Sequence, residues 1–196
     1  MFQLYPILPV NLREPETDHL VLNIMKPHRK FELKEYDPNW VEEFNKKAQV
    51  LKSVFGDELL EIHHIGSTSI PGMVAKPQID ILILVRDFFK IKSLYEEIIK
   101  FGFTPRGTEY VGTGDEYFTE DTGDGRRLTS VHVFQKGQPK SEEDLKFRDY
   151  LRTHKEDRNL YISVKKDLYS KYHDNYSKYD SGKTDVIKEI KERVNK

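Results

Sequence analysis

The chain has 196 residues, 37% hydrophobic and 33% charged, with 32 basic against 33 acidic side chains and a net charge of −1. That length suits one domain around a single core, and the charge balance argues against nucleic acid as a partner, because such a surface normally shows as a basic excess. With no cysteine, disulfides, thiol nucleophiles and Cys-ligated zinc are excluded; with no run near the roughly 20 apolar residues that span a bilayer, a cytoplasmic protein with no membrane partner is expected.

Residues 1–31 read as an N-terminal arm: four prolines and one apolar burst, Leu20-Val21-Leu22-Asn23-Ile24, which would add an edge strand or dock on the body. The apolar patch Leu4–Val10 is broken by Pro6 and Pro9 and lacks the basic start of a signal peptide. Residues 32–196 form the domain proper, helical from about 141. Asp37-Pro38 marks a helix start, Asp as cap and Pro at the first helical position, and Trp40, Phe44, Ala48, Leu51 and Phe55 give it one apolar face before Gly56. Leu59–Ile65 is a β-like run, and a loop rich in Gly, Ser, Thr and Pro follows from Gly66 to Pro77. Ile79–Val85, nearly all branched aliphatic, suits a strand buried on both faces. Phe88, Ile91, Leu94, Tyr95 and Ile98 predict a second helix ending near Gly102. Phe103–Val111, Glu116–Thr119 and Leu128–Phe134 predict further strands, with turns at Gly112-Thr113-Gly114 and Gly123-Asp124-Gly125. Ser141 caps a helix carrying Leu145, Phe147, Tyr150 and Leu151; Leu160, Tyr161, Val164 and Leu168 mark another, and Val186, Ile187, Ile190 and Val194 a last one. The order predicts an α/β (α+β) fold, a mixed sheet with helices packed on it.

Two features carry chemistry. Gly66-Ser67-Thr68-Ser69 offers close backbone approach and three hydroxyls, a nest for an anion such as phosphate. It lacks the Gly-Lys-Ser/Thr ending of a Walker loop, and a polar loop by itself is most simply a turn. Asp80, however, stands in the apolar run Ile79–Val85, where an unpaired carboxylate is costly and calls for a cation, an arginine or a metal. A phosphate loop followed by an acid on a buried strand suits Mg²⁺-assisted phosphoryl or nucleotidyl transfer.

The stretch His64-Ile65-Gly66-Ser67-Thr68-Ser69-Ile70-Pro71-Gly72-Met73-Val74-Ala75-Lys76-Pro77-Gln78-Ile79-Asp80-Ile81 resembles the signature of the GrpB family. Tyr36-Asp37-Pro38-Asn39-Trp40, His132-Val133-Phe134, Phe147-Arg148-Asp149-Tyr150-Leu151-Arg152, Tyr161 with Lys165 and Tyr179 with Lys183 also match, so the resemblance spans residues 32–194. It implies a nucleotidyltransferase-like fold: a mixed β-sheet flanked by helices, with a C-terminal helical part. In that superfamily Gly-Ser is followed by two carboxylates in Asp-x-Asp spacing. This chain has Gln78 two residues before Asp80 and Leu82 two after, so one acid of the set is missing. The family carries a basic residue near Asp115, and Asp115 or Glu116 is a candidate substitute ligand.

The resemblance thus implies a Mg²⁺-dependent transferase, or a binder, of a nucleotide or phosphorylated small molecule. Asp80 would hold the metal and, with His132, serve catalysis; His64, Gly66, Ser67, Thr68, Ser69, Lys76, Arg148 and Arg152 would hold phosphate and substrate. A histidine on an apolar strand is otherwise a satisfied core residue. Of the adjacent His63 and His64 only one can face the cleft, and His64 is nearer the loop. Arg148 and Arg152 share a helix face, either as a guanidinium clamp on phosphate or paired with neighbours such as Asp149. Lys165 and Lys183 would add point charges. The tyrosines Tyr161, Tyr169, Tyr172, Tyr176 and Tyr179 fit packing between helices better than base stacking. The rival reading is a non-catalytic accessory domain, since GrpB-like domains occur fused to dephospho-CoA kinase, which points beside coenzyme A metabolism.

Overall fold

The computed structural model describes residues 30–108 and 114–194. The expectations for residues 1–29, among them the burst Leu20–Ile24, and for the turn residues Gly112 and Thr113 lie outside these.

Helix α1 runs Asn39–Phe55, and the Asp37 carboxylate accepts the Asn39 N–H at 2.9 Å, with Pro38 just ahead of the first turn. Trp40, Ala48, Leu51 and Phe55 of the expected face are buried and Phe44 packs beside them. Strands β1 (Leu59–Ile65) and β2 (Ile79–Val85) have the bounds the sequence implies. Strands β3 (Thr104–Gly107), β4 (Glu116–Asp121) and β5 (Arg127–Gln135) complete one five-stranded sheet in the order β1-β2-β5-β4-β3. β2 and β5 are parallel and the other pairs antiparallel. This is the mixed sheet expected.

Alternation of side chains divides the sheet into two faces. Ile79, Ile81, Ile83 and Val85 pack with Val131 and Val133 against α1 and the segment that follows β2. That segment is a 3₁₀ stretch, Phe88–Leu94, started by Asp87, whose carboxylate accepts the Phe89 N–H at 3.0 Å; only Tyr95–Lys100, helix α2, is α-helical. The apolar spacing predicts the buried side of this segment but not its winding. On the opposite face Leu82, Leu84 and Phe134 form an apolar patch with Ile65, and towards the start of β2 the face turns polar.

Four helices make the second layer: α3 (Pro139–Thr153), α4 (Lys155–Tyr172), α5 (Tyr176–Ser181) and α6 (Thr184–Val194). Ser141 does not cap α3. The helix begins at Pro139, which needs no N–H there, and the Ser141 hydroxyl donates back to the Gln138 carbonyl at 2.7 Å. Leu151, Tyr161, Val186 and Ile190 enclose Ile70 and Met73 of the loop between β1 and β2, so the helical layer clamps that loop in place. Phe31, at the end of the expected arm, packs with ring centroids 5.5, 5.4 and 4.8 Å from Tyr169, Tyr176 and Tyr179. Here tyrosines pack a helix pair, as expected. Among the described residues no helix is long and apolar enough to cross a membrane.

Candidate functional site

The polar half of the sheet and the helical layer face each other across a cleft of about 1590 Å³. Its floor begins at Gly66, whose backbone (φ 68°, ψ −175°) crosses directly over Asp80. Ser67–Ser69 then form a single 3₁₀ turn, with the Ser69 N–H on the Gly66 carbonyl and the Ile70 N–H on the Ser67 carbonyl, both at 3.2 Å. Two of the three hydroxyls serve the loop itself: Thr68 Oγ1 donates to the Gln78 carbonyl at 3.1 Å and Ser69 Oγ to the Gly66 carbonyl at 2.7 Å. Ser67 is the one that meets the opposite wall, where Lys165 Nζ donates to its Oγ at 2.6 Å.

Lys165 is 3% exposed and also donates to the Val74 carbonyl at 2.6 Å. Burial, then the nearby charges of Lys183 and Lys76, push its pKa well below the lysine range, and Asp80 opposes them. Lys76 Nζ donates to the Tyr176 hydroxyl at 2.8 Å, and Lys183 pairs with Asp180 at 2.6 Å. Burial raises the Asp180 pKa, but Lys183 and Lys76 outweigh it and hold the carboxyl below its usual value. The Tyr179 hydroxyl, on the same wall, is buried without a hydrogen-bond partner among the described residues. Sequence reasoning reached Lys165 only through resemblance, because burial of a lysine has no local signature.

Across the floor runs a polar network that the sequence does not reveal. Gln78 Nε2 donates to Asp80 Oδ1 and to Ser130 Oγ (3.1 Å), and Ser130 shares a 2.8 Å hydrogen bond with the Tyr117 hydroxyl. Arg127 donates to Tyr117 at 2.8 Å and to Asp121 at 2.9 Å; Arg106 donates to Thr119 and to Asp121, each at 2.9 Å. Burial raises the Asp121 pKa, but Arg127, Thr119 and Arg106 together hold it below the usual range. Strand alternation, which sets Tyr117 and Thr119 on one face, was the available signal; the pairing of β4 with β5 was not.

Several expected site residues sit elsewhere. His64 does not face the cleft: it stacks on Phe44 (4.8 Å, 5° between rings) and bonds Thr68 Oγ1 at 3.0 Å. Because the Thr68 hydrogen is spent on Gln78, His64 Nε2 is the donor. Burial, then Arg152 and Arg148, push the His64 pKa down to about 4. Ile65, one step along β1, takes the cleft side instead. Arg148 donates to the His64 carbonyl at 3.1 Å and grips Asp149, while Arg152 holds the Ser69 carbonyl at 2.9 and 3.1 Å. These guanidiniums brace the loop from behind; Arg148 also borders the cleft.

The place of a second acid is filled otherwise. Gln78 caps Asp80, Leu82 is fully buried among apolar neighbours, Asp115 bonds His132, and Glu116 accepts the Tyr95 hydroxyl on the far face. Among the described residues no three acids or histidines gather as a metal-binding group. A pair of ions held between carboxylates does not fit this donor set.

The GrpB protein family matches residues 30–193 of the chain. The UPF0157 protein YqkA of Bacillus subtilis is 40% identical over 168 residues, which cover 86% of this chain and 48% of that protein; the chain spans about half the length of that relative. The UPF0157 protein BH1888 of Halalkalibacterium halodurans is 34% identical over 184 residues, covering 93% of this chain and 92% of that one. The crystal structure of the conserved protein GrpB from Enterococcus faecalis superposes with a TM-score of 0.77 at 34% identity, covering 83% of this chain and 96% of that one.

Proposed function

Because the chain belongs to the GrpB family, we propose that its cleft binds the phosphate end of a nucleotide or another phosphorylated small molecule. The observation that carries this reading is Lys165, a buried amine 2.6 Å from the Ser67 hydroxyl at the head of the loop. An anion beside a desolvated amine favours its charged form, so phosphate binding and protonation of Lys165 support each other. Lys183 adds charge on the same wall and Lys76 reaches towards it from the loop, and the Tyr179 hydroxyl, without a partner among the described residues, offers a donor. Arg106 and Arg127 line the far end of the floor, a suitable contact for a second anionic group. No step is assigned to Mg²⁺, since among the described residues the acid that meets the loop is Asp80, with Gln78 on one oxygen and the Gly66 backbone against the other.

An accessory role beside coenzyme A metabolism is a special case of this binding, and ATP and dephospho-CoA belong in the screen. The test is thermal unfolding with pyrophosphate, ATP or dephospho-CoA, each in EDTA and in Mg²⁺. Ligand at 100-fold its Kd stabilises by about 2.7 kcal/mol, roughly 5–10 °C in Tm at this chain length. The expected result is a shift in EDTA that Lys165→Met abolishes. A shift that requires Mg²⁺ and is lost in Asp80→Asn would favour the Mg²⁺-dependent reading instead, and no shift with any of the three would overturn both.

A further inference from the structure

The cleft contains an imidazole that phosphate binding does not use. His132 lies in the middle of β5, level with Leu82 of β2 and Tyr117 of β4, and its side chain, 24% exposed, lines the cleft. Its Nδ1 is 2.7 Å from Oδ2 of Asp115, a carboxylate with no exposure to solvent. The Tyr117 ring flanks the imidazole at 4.8 Å, tilted by 39°. A carboxylate accepts, so Nδ1 donates and carries the ring hydrogen. In the neutral imidazole Nε2 then keeps its lone pair, and among the described residues it has no hydrogen-bond partner. Asp80 is level with Ser130, and His132 is two residues further along β5, a diagonal of roughly 7–8 Å. The free nitrogen is therefore within one small molecule's length of the phosphate loop.

We propose that His132, positioned by Asp115, is a general base for transfer of a phosphoryl or nucleotidyl group to a hydroxyl or to water in this cleft. The substrate class rests on the phosphate-binding reading above. The acceptor oxygen forms a bond to phosphorus while its proton passes to Nε2. The bond from phosphorus to the leaving oxygen breaks, and that oxygen keeps the electron pair beside the lysine wall. Asp115 touches no reacting atom: it fixes the tautomer and the ring orientation.

Two measurements on the full chain test this without knowledge of the natural substrate. The first is NMR of ¹⁵N-labelled imidazole, with the His132 signals assigned by their loss in His132→Gln. The expected spectrum shows a protonated Nδ1 and a bare Nε2; a protonated Nε2 and bare Nδ1 in the unmodified protein overturns the proposal. The second is the rate at which diethyl pyrocarbonate acylates His132, read by peptide mass. Asp115→Ala should slow it roughly tenfold, and Asp115→Glu should restore part of the rate. If Asp115 merely supported the fold, Asp115→Ala would react at the original rate or faster, which also overturns the proposal. Failure of the phosphate reading shows separately, as a missing Tm shift with pyrophosphate that leaves tautomer and acylation rate unchanged.

Discussion

A β-carbon on Gly66 would arrive 2.3 Å from Asp80 Oδ2, and the backbone there is at φ 68° and ψ −175°. Such a backbone is nearly confined to glycine, and other residues pay roughly 1–3 kcal/mol for it. Gly66→Ala is expected to lower stability by at least that much in urea unfolding, and Asp80→Ala in the same chain should recover the part due to the clash. His64 gives a pH signature. Its folded pKa is pushed down to about 4, whereas the unfolded side chain titrates near about 6.5. Between these values the unfolded state binds the extra proton, so stability falls as pH falls through that window, by on the order of 3 kcal/mol. Urea unfolding between pH 7 and pH 4 should show this slope, reduced in His64→Gln. The sequence made Asp80 conspicuous because an acid in an aliphatic strand is costly. It could not reveal where the arginines reach: spacing puts Arg148 and Arg152 on one face, but the carbonyls they hold lie 84 and 83 residues earlier.

The elements whose patterns are long were legible from the sequence. β1 and β2 have the implied bounds, and α1 shows its face, because a sustained apolar period of two or 3.6 leaves few alternatives. α5 was not foreseen; six residues are too few for a period, and its Tyr179 is buried by what α4 and Phe31 bring to it. The coupling between α3 and the loop from Gly66 to Pro77 is also invisible in either segment alone. Arg152 donates twice to the Ser69 carbonyl, and hydrogen bonds from charged groups are worth about 1.5–3 kcal/mol. Arg152→Ala should cost stability of about that size or somewhat less, because the side chain is partly exposed. Hydrogen exchange at Ser69 and Ile70 should quicken beyond the global change, since the turn they close loses its brace.

At the scale of the molecule, the sheet supplies Asp80, Tyr117 and Arg127, α4 supplies Lys165 and the turn between α5 and α6 supplies Lys183 to one cleft. Seven lysine or arginine side chains and five aspartates line it among the described residues, so attraction for an anion is spread over several partly solvated charges. Raising NaCl from roughly 0.05 to 0.5 M should therefore shrink the Tm shift that pyrophosphate produces, as screening shortens the reach of those charges. The contacts that join the two walls are also far apart in the chain: Ser67 meets Lys165 across 98 positions and Lys76 meets Tyr176 across 100. A growing polypeptide can have made every strand and still possess only half of this cleft, because the helices that form its other wall follow the sheet in the chain. A small molecule that bridged the two walls would therefore stabilise the docking of α4–α6 on the sheet, and would gain nothing from a copy in which those helices have yet to form.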